Sequence, residues 1–192
     1  PLKPQVIDVN VRLDAIGEVL SRTLGSQVEI ALELAPDLWP AEVDPTELET
    51  ALLNAAFNAR DAMPQGGRLT VETRNLEIRP GTHTHPLRTS PGHWVELKLG
   101  DTGPGMTEDV RKRVFEPFFT TKQGGEVSGL GLSTTYGIIT QSGGHILADS
   151  EPGHGSRFLV YLPSAEQPAD ADAPGGVNGK PWETILLVED EE

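Results

Sequence analysis

Two asparagines and an aspartate recur at helical spacing near the middle of the sequence. Asn54, Asn58 and Asp61 stand four and then three positions apart, so a helix would carry them on one face. An asparagine carbonyl is a hard oxygen ligand, and a magnesium ion that already binds phosphate oxygens and waters needs only one or two protein ligands. A solvated polar helix face has the same pattern, so both interpretations stay open at this point.

A glycine-rich turn, DTGPG at Asp101–Gly105, follows an alternating apolar stretch. Gly103 and Gly105 permit main-chain conformations that other residues avoid, and they let a flat ring approach the backbone. A buried Asp101 could accept a hydrogen bond from an exocyclic amine and so distinguish adenine from guanine. The alternative interpretation is an ordinary Asp-Gly turn at the end of a strand.

A second glycine-rich stretch, SGLGLS at Ser128–Ser133, opens a helical pattern. The N–H groups and the positive end of a helix start can bind an anion, although a tight helix start packed on a strand has the same sequence. The stretch FEPFFTTK precedes it, and its Lys122 could supply a point charge to terminal phosphates. Its phenylalanines, Phe115, Phe118 and Phe119, are interpreted as hinge and packing residues.

Hydrophobic periodicity predicts the elements that would position these residues. Asp44 is placed to cap a helix, with Pro45 in the first turn and Glu47 at the capping-box position. Helices are predicted over 10–25, 44–63, 107–115 and 129–141, and strands over 28–34, 68–75, 95–99, 145–150 and 157–162. This mixture predicts a two-layer α/β (α+β) sandwich, in which helices cover one face of a mixed, mostly antiparallel sheet.

Composition excludes several classes of protein and site. The 192 residues include no cysteine, which rules out disulfides and thiolate metal sites. A net charge of -14 argues against nucleic acid as the main partner, because nucleic-acid binding depends on Lys and Arg contacts to phosphates. No apolar run approaches the roughly 20 residues that a membrane-spanning helix needs.

The order and spacing of all these motifs resemble the ATP-binding catalytic domain of bacterial sensor histidine kinases. That domain belongs to the superfamily of gyrase, chaperone, histidine-kinase and mismatch-repair ATPases. The likeness runs from about residue 44 to residue 162 and is carried by LLNAAFNARDAM, DTGPGM, FEPFFTTK, SGLGLS and GHGSRF. It implies the Bergerat ATP-binding fold, in which ATP lies under a lid. The lid is the segment between the phenylalanine motif, FEPFFTTK, and the second glycine-rich motif, SGLGLS.

The resemblance also implies roles for individual residues. Asn58 would be the principal Mg²⁺ ligand, Asp101 would contact adenine N6, and catalysis would depend on Asn58, Lys122 and Asn54. The implied ATP-binding residues are Asn54, Asn58, Arg60, Asp61, Asp101, Gly103, Gly105, Met106, Phe115, Phe119, Thr121, Lys122, Ser128, Gly129, Leu130, Gly131, Leu132 and Ser156. Gly103, Gly105, Gly129 and Gly131 would line the nucleotide, with Ser156 near the adenine pocket.

The residue one helical turn before Asn58 favours phosphoryl transfer over hydrolysis. The hydrolases of the superfamily typically have a glutamate there, which activates water, whereas this chain has Asn54. An amide cannot act as a general base at neutral pH. A histidine imidazole that attacks the γ-phosphate needs no activated water, so the resemblance implies a protein histidine kinase. A degenerate nucleotide- or partner-binding module is the alternative, and a superfamily ATPase is a less favoured one.

The acceptor histidine of such a kinase would lie on a helical hairpin upstream, and residues 1–9 are predicted to lead out of that hairpin. None of the five histidines begins an amphipathic helix with an acid beside it: His83, His85, His93, His145 and His154. His83, His85 and His93, which lie in or directly after a predicted surface loop over 77–92, could form a metal site, although a solvated loop is the favoured interpretation. We therefore expect this piece to bind ATP without phosphorylating itself.

Residues 163–183 are rich in Ala, Pro, Asp and Gly and are predicted to be a flexible linker. TILLVEDEE at 184–192 resembles the first strand of a receiver domain, with Glu189 and Asp190 matching its acidic magnesium pair. The resemblance thus implies a hybrid kinase whose partners are ATP, the upstream hairpin and a receiver domain or response regulator. It also implies a homodimeric parent, a monomeric fragment and a cytoplasmic location, whether or not the parent is membrane-anchored.

One position departs from the family pattern. Aligned on Gly129 and Gly131, the chain has Val127 where the family usually has a further glycine. If the bound lid needs a positive φ there, a β-branched residue would cost roughly 1–2 kcal/mol. The sequence therefore predicts altered lid closure or weaker ATP binding.

Overall fold

The computed structural model describes residues 3–81, 91–121 and 129–165. Its elements, in chain order, are β1 (Gln5–Ile7), α1 (Val9–Thr23), β2 (Val28–Glu33), β3 (Ala41–Val43), α2 (Pro45–Ala62), β4 (Gly67–Ile78), β5 (Gly92–Asp101), α3 (Glu108–Arg113), α4 (Gly131–Gln141), β6 (His145–Ser150) and β7 (Ser156–Pro163). None of these helices is both long and apolar enough to cross a membrane.

Strands β2, β4, β5, β7 and β6, in that order, form a five-stranded sheet. The β2–β4 pair is parallel and the other three pairs are antiparallel, which confirms the predicted mixed, mostly antiparallel sheet. Alternate residues of β4, β5 and β7 pack against helices α1, α2 and α4 to form the main core. The predicted two-layer sandwich with helices on one sheet face is therefore confirmed.

Helix α2 begins as the capping pattern predicts. The Oδ1 atom of Asp44 accepts hydrogen bonds from the N–H groups of Thr46, at 3.0 Å, and Glu47, at 3.3 Å. Pro45 occupies the first position, where its missing N–H has no cost. The buried face of α2 consists of small and medium apolar residues: Leu48, Ala51, Leu52, Ala55, Ala56 and Ala59. Helix α2 therefore lies close to the sheet and keeps its other face for polar side chains.

Short segments at both ends of the domain take part in the fold. Strand β1 pairs antiparallel with β3, and Ile7 and Val9 are buried, so residues 5–9 pack with the rest of the domain. At the other end, Ser164 forms a bridge with Ala41, so the fold extends past residue 162. Helix α4 begins at Gly131 rather than 129. The predicted linker from 166 and the receiver strand lie outside the described residues.

The sheet face opposite the helices carries cross-strand ion pairs. Glu96, with 4% of its surface exposed, accepts hydrogen bonds from Arg74 Nε at 2.6 Å and Arg74 Nη2 at 3.0 Å. Tyr161 is also hydrogen-bonded to Glu96, and burial is the first cause that raises the pKa of the Tyr161 hydroxyl far above its usual range. Glu96 is thus a buried carboxylate that is satisfied by two neighbouring strands.

We expect Glu96→Gln to lower the free energy of unfolding by about 1–3 kcal/mol, because the buried hydrogen bonds to a charged group are weakened. The half-exposed guanidinium of Arg74 keeps the loss below that of a fully buried pair. Glu72→Gln is the matched control, since the carboxylate of Glu72, which pairs with Lys98 at 2.7 Å, is more exposed than that of Glu96 and should contribute less than about 1 kcal/mol. Equal losses in urea unfolding of the two variants would contradict the prediction.

Candidate functional site

The polar face of α2 presents two asparagines that the fold itself does not use. Asn54 and Asn58 are partly buried, and within the described part of the chain neither side chain forms a hydrogen bond. Asp61, the third predicted member of this face, instead accepts hydrogen bonds from Arg60 Nε and Nη2, at 3.1 and 2.9 Å. Arg60 also lies over the Phe57 ring, 5.1 Å from its centroid. Two amides, at Asn54 and Asn58, therefore remain available to a ligand.

The start of helix α4 lies beside Asn54. A Cβ atom added to Gly131 would be 3.9 Å from the Cβ of Asn54, so the two backbones approach closely. The buried Thr135 hydroxyl fixes this approach, because it contacts the carbonyl oxygen of Ala51 at 3.2 Å and that of Gly131 at 3.0 Å. Among the described residues, no side chain caps the start of α4. The N–H groups at this end of α4 are therefore held next to the polar face of α2 without a side-chain acceptor from the described part of the chain.

The DTGPG turn packs against the other end of α2. Asp101 is 8% exposed, and its Oδ1 accepts hydrogen bonds from the N–H groups of Gly103, at 2.8 Å, and Ser156, at 3.2 Å. Neither bond uses Oδ2, and no described residue bonds to that oxygen. A Cβ on Gly103 would come within 3.1 Å of the carbonyl oxygen of Ala62, the last residue of α2. The turn thus leaves one oxygen of a buried carboxylate for a donor from outside the fold.

Burial is the foremost cause that raises the pKa of Asp101 above its usual value. The hydrogen bonds from Gly103 and Ser156 act in the opposite direction and only partly offset it. The ionised carboxylate is therefore less favourable in the folded domain than in water. A buried carboxylate with a raised pKa, such as that of Asp101, is typical of a binding site.

The DTGPG turn is joined to the β6–β7 turn by several close contacts. The N–H of Met106 donates to Ser150 Oγ at 2.8 Å, and the N–H of Gly153 donates to the carbonyl oxygen of Pro104 at 2.6 Å. Gly105 has a φ of +74°, and a Cβ atom there would overlap the carbonyl oxygen of Glu151. Gly155 likewise has no room for a side chain beside the carbonyl of Asp101. The two turns thus fix the position of Asp101.

Gly105→Ala should destabilise the domain more than Gly153→Ala. Both glycines have positive φ, which costs an L-residue roughly 1–2 kcal/mol. Only at Gly105 would the added Cβ also meet backbone atoms, whereas the space around Gly153 is open. Thermal unfolding of the two variants measures the difference. Equal melting temperatures would show that the contact between the turns is not tight.

The phenylalanine motif is partly in the core and partly at the surface. The ring of Phe115 contacts Tyr136, at 5.5 Å between centroids, and Phe158, at 6.1 Å, which supports its interpretation as a packing residue. Phe118 is 74% exposed and has a φ of 65°. Its N–H donates to the carbonyl oxygen of Gly129 at 3.0 Å, so the two ends of the segment between them are joined.

The residues predicted to bind ATP differ in exposure, and some of them lie outside the described part of the chain. Thr121 is exposed, Leu130 is 38% exposed, and Leu132 is buried at 8% exposure. Phe119 lies under Arg113, whose guanidinium carbon is 4.4 Å from the ring centroid. Lys122, Val127 and Ser128 lie outside the described residues, as do His83 and His85. The described residues contain no group of three or more acids, histidines or cysteines that could hold a metal ion.

Three residues that help to hold the motifs in place were not identified from the sequence. Ser150 connects Met106 to Gly155 through its hydroxyl, because it donates to the carbonyl of Gly155 at 2.8 Å. Thr102 Oγ1 accepts from the N–H of Arg68 at 3.0 Å and anchors the turn to β4. Arg113 forms an ion pair with Glu116, with 3.0 Å between Nε and Oε2, and its guanidinium also lies over the Phe119 ring. A serine at the end of a strand before EPGHG was the only available signal for Ser150.

The chain resembles several known proteins in sequence. A family profile described as "Histidine kinase-, DNA gyrase B-, and HSP90-like ATPase" matches residues 43–166. The sensor kinase CckA of Brucella abortus (strain 2308) is 41% identical over 100% of this chain and 21% of its own length. Sporulation kinase E of Bacillus subtilis (strain 168) is 38% identical over 72% of this chain and 16% of its own length. The chain thus spans about a fifth or less of the length of these relatives.

Solved structures show the same fold. The mycobacterial sensor histidine kinase MprB superposes with a TM-score of 0.65 at 28% identity, over 85% of this chain and 98% of that chain. Full-length ShkA in complex with AMPPNP superposes with a TM-score of 0.68 at 27% identity, over 85% of this chain and 32% of that chain. The chain belongs to the histidine kinase-, DNA gyrase B- and HSP90-like ATPase family, and it is the ATP-binding catalytic domain of a sensor histidine kinase.

Proposed function

We propose that this domain binds Mg-ATP in the cleft between α2, the DTGPG turn and the start of α4, and donates the γ-phosphoryl group to a histidine on an upstream hairpin. The observation that carries this proposal is Asp101. It is a buried carboxylate that two backbone N–H groups hold by one oxygen and whose other oxygen has no described partner. An exocyclic amine of adenine is the donor that this oxygen fits.

The donor set of α2 fits magnesium that is already bound to phosphate. Asn58 offers a neutral carbonyl oxygen that no described residue uses, and Mg²⁺ bound through phosphate oxygens and waters needs only one or two such ligands. Bound there, the ion would neutralise charge on the phosphates. Asn54, beside Gly131, and the uncapped N–H groups of α4 would orient the phosphate chain. Lys122 and Ser128 are proposed to complete the phosphate contacts from the segment between Phe118 and Gly129.

Transfer to histidine fits the polar face of α2 better than hydrolysis does. In the transfer, an imidazole nitrogen attacks the γ-phosphorus, the bond to the β,γ-bridging oxygen breaks, and ADP leaves. Catalysis of this kind depends on positioning and on charge neutralisation rather than on a general base. The position one turn before Asn58 is the amide of Asn54, which cannot take a proton from water. The domain would therefore turn over ATP slowly without its histidine partner.

The proposed partners follow from this chemistry. They are ATP and ADP, the hairpin that carries the acceptor histidine, and a receiver domain or response regulator that takes the phosphoryl group in two-component signal transduction. We propose the cytoplasm as the compartment, because ATP is supplied there. The domain alone would be monomeric, and dimerisation would come from the hairpin of a longer protein. Glu189 and Asp190 remain the proposed start of a receiver domain.

The test is phosphohistidine formation in a version of the protein that is extended upstream to include the hairpin. Incubation with radiolabelled Mg-ATP should produce an acid-labile, base-stable phosphoprotein, whereas the 192-residue chain alone should bind ATP and remain unlabelled. Nucleotide binding without any phosphohistidine would favour a degenerate binding module, which the Val127 position also favours. Steady ATP turnover by the domain alone, surviving Asn54→Ala, would favour an ATPase.

A further inference from the structure

We propose that Asp44 is a positioning residue that couples the segment before β1 to helix α2, and so to the Asn54 and Asn58 side chains. The coupling rests on the proposed function, because it predicts a response to nucleotide bound beside those asparagines. The two oxygens of Asp44 serve different parts of the chain. Oδ1 caps α2, and Oδ2 accepts a hydrogen bond from the N–H of Lys3 at 2.8 Å, across 41 positions of sequence.

The geometry around Asp44 makes this bond more than a surface contact. Strand β3 ends at Val43, the residue directly before Asp44, and Val43 pairs with Gln5 of β1. Lys3 and β1 therefore lie alongside the backbone of β3 that leads into α2. The Lys3 N–H is also the foremost cause that holds the pKa of Asp44 below its usual value, so this carboxylate is ionised and a strong acceptor at neutral pH.

The C-terminal end of the fold meets the same short strand. Ala41 forms a bridge with Ser164 in addition to its pairing with Ile7, and the N–H of Ala165 donates to the carbonyl of Pro40 at 2.8 Å. The chain on both sides of the domain is thus attached to β3 or to the residues directly next to it, just before α2. A cavity of about 300 Å³ borders this junction, lined in part by Pro4, Asp44 and Pro163.

Helix α2 is suited to carry a shift of its first turn. It runs without a break from Pro45 to Ala62, and no glycine interrupts it. At 1.5 Å per residue, Asn54 and Asn58 lie about 15 and 21 Å from Asp44 along the helix axis. A pull on Lys3 would act on the first turn of α2 through a charged hydrogen bond. By reciprocity, a nucleotide that fixes the far half of α2 should protect the Lys3–Asp44 bond.

The test measures amide exchange of Lys3 and the β1 residues by NMR, with and without saturating magnesium and AMPPNP. In the wild type we expect nucleotide to slow exchange of the Lys3 amide by about fivefold or more, the lower end of typical allosteric coupling. Asp44→Asn and Asp44→Ser keep a side-chain cap for α2 but remove the acceptor for Lys3. Both should bind AMPPNP, yet show less than about a twofold effect at Lys3.

Asp8→Asn is the matched control. Asp8 caps α1 through Oδ1, with bonds to the N–H groups of Asn10 and Val11, and it has no contact with Lys3. The nucleotide response at Lys3 should survive in this variant. Calorimetry of AMPPNP binding separates the two ways to fail. If the wild type does not bind nucleotide, the proposed function is wrong and the coupling with it. If nucleotide binds without slowing exchange at Lys3, or if Asp44→Asn retains the effect, the coupling alone is wrong.

Discussion

Asp101→Asn is expected to weaken adenine-nucleotide binding by about 1–3 kcal/mol while the domain stays as stable as the wild type. The amide keeps an oxygen for the N–H groups of Gly103 and Ser156, so the DTGPG turn should hold its shape. At the position of Oδ2 it places an NH₂ group, which cannot accept from the exocyclic amine of adenine. ADP and GDP affinities, measured by calorimetry, should therefore become more alike.

The stability half of this prediction follows from the raised pKa of Asp101. Because burial disfavours the ionised form, the charged carboxylate lowers the stability of the fold at pH values above its folded pKa. The neutral amide should therefore leave the unfolding free energy equal or higher at neutral pH. The advantage should decrease as the pH falls below the folded pKa and disappear below the unfolded pKa, where the wild-type carboxyl is neutral in both states.

Asp149→Asn is the control for the same chemical change at another place. Asp149 forms an exposed ion pair with Arg157 at 2.9 Å on the sheet face opposite the helices. Its substitution should change neither nucleotide affinity nor the preference for adenine. If Asp101→Asn binds ADP as tightly as the wild type does, the adenine assignment of Asp101 is wrong.

The long elements were predictable because each has a strong local pattern. The cap at Asp44, the alternation in β4 and β5, and the β6–β7 hairpin all lie where the sequence predicts them. Strands β1 and β3 were missed because three residues cannot show a period. They exist through pairing with each other and through the bridge between Ala41 and Ser164, which is information that only the tertiary structure holds.

The site was predictable to the extent that its chemistry lies in short motifs. DTGPG marked Asp101 before its burial was known, whereas the only local signal for Ser150 was a serine at a strand end, and its role depends on a contact with Met106 across 44 positions. Thr121, Leu130 and Leu132 were assigned by resemblance alone, and their contact with a nucleotide stays a prediction. Lys122, Val127 and Ser128 stay predictions, because they lie outside the described residues.

Asn58→Ala should abolish most of the magnesium dependence of ATP binding and lower phosphoryl transfer at least about 10- to 100-fold, the loss typical of removing even an outer-sphere partner of a metal. The fold should not suffer. The Asn58 side chain makes no hydrogen bond with a described residue, and alanine has the highest helix propensity, so stability should stay equal or rise by up to about 0.7 kcal/mol. ATP titrations with and without magnesium measure the first effect, phosphohistidine formation in the protein extended upstream to include the hairpin measures the second, and urea unfolding measures stability.

Thr50→Ala provides the control, because Thr50 is exposed on the same helix, two turns before Asn58, and among the described residues its hydroxyl bonds only to the carbonyl of Thr46. It should leave the magnesium dependence intact. Asn58→Asp, which keeps an oxygen at the same place, should recover part of the magnesium effect that alanine loses, because a carboxylate is also a magnesium ligand. If the alanine variant responds to magnesium as the wild type does, the ion is held elsewhere, and the polar face of α2 serves the phosphates directly.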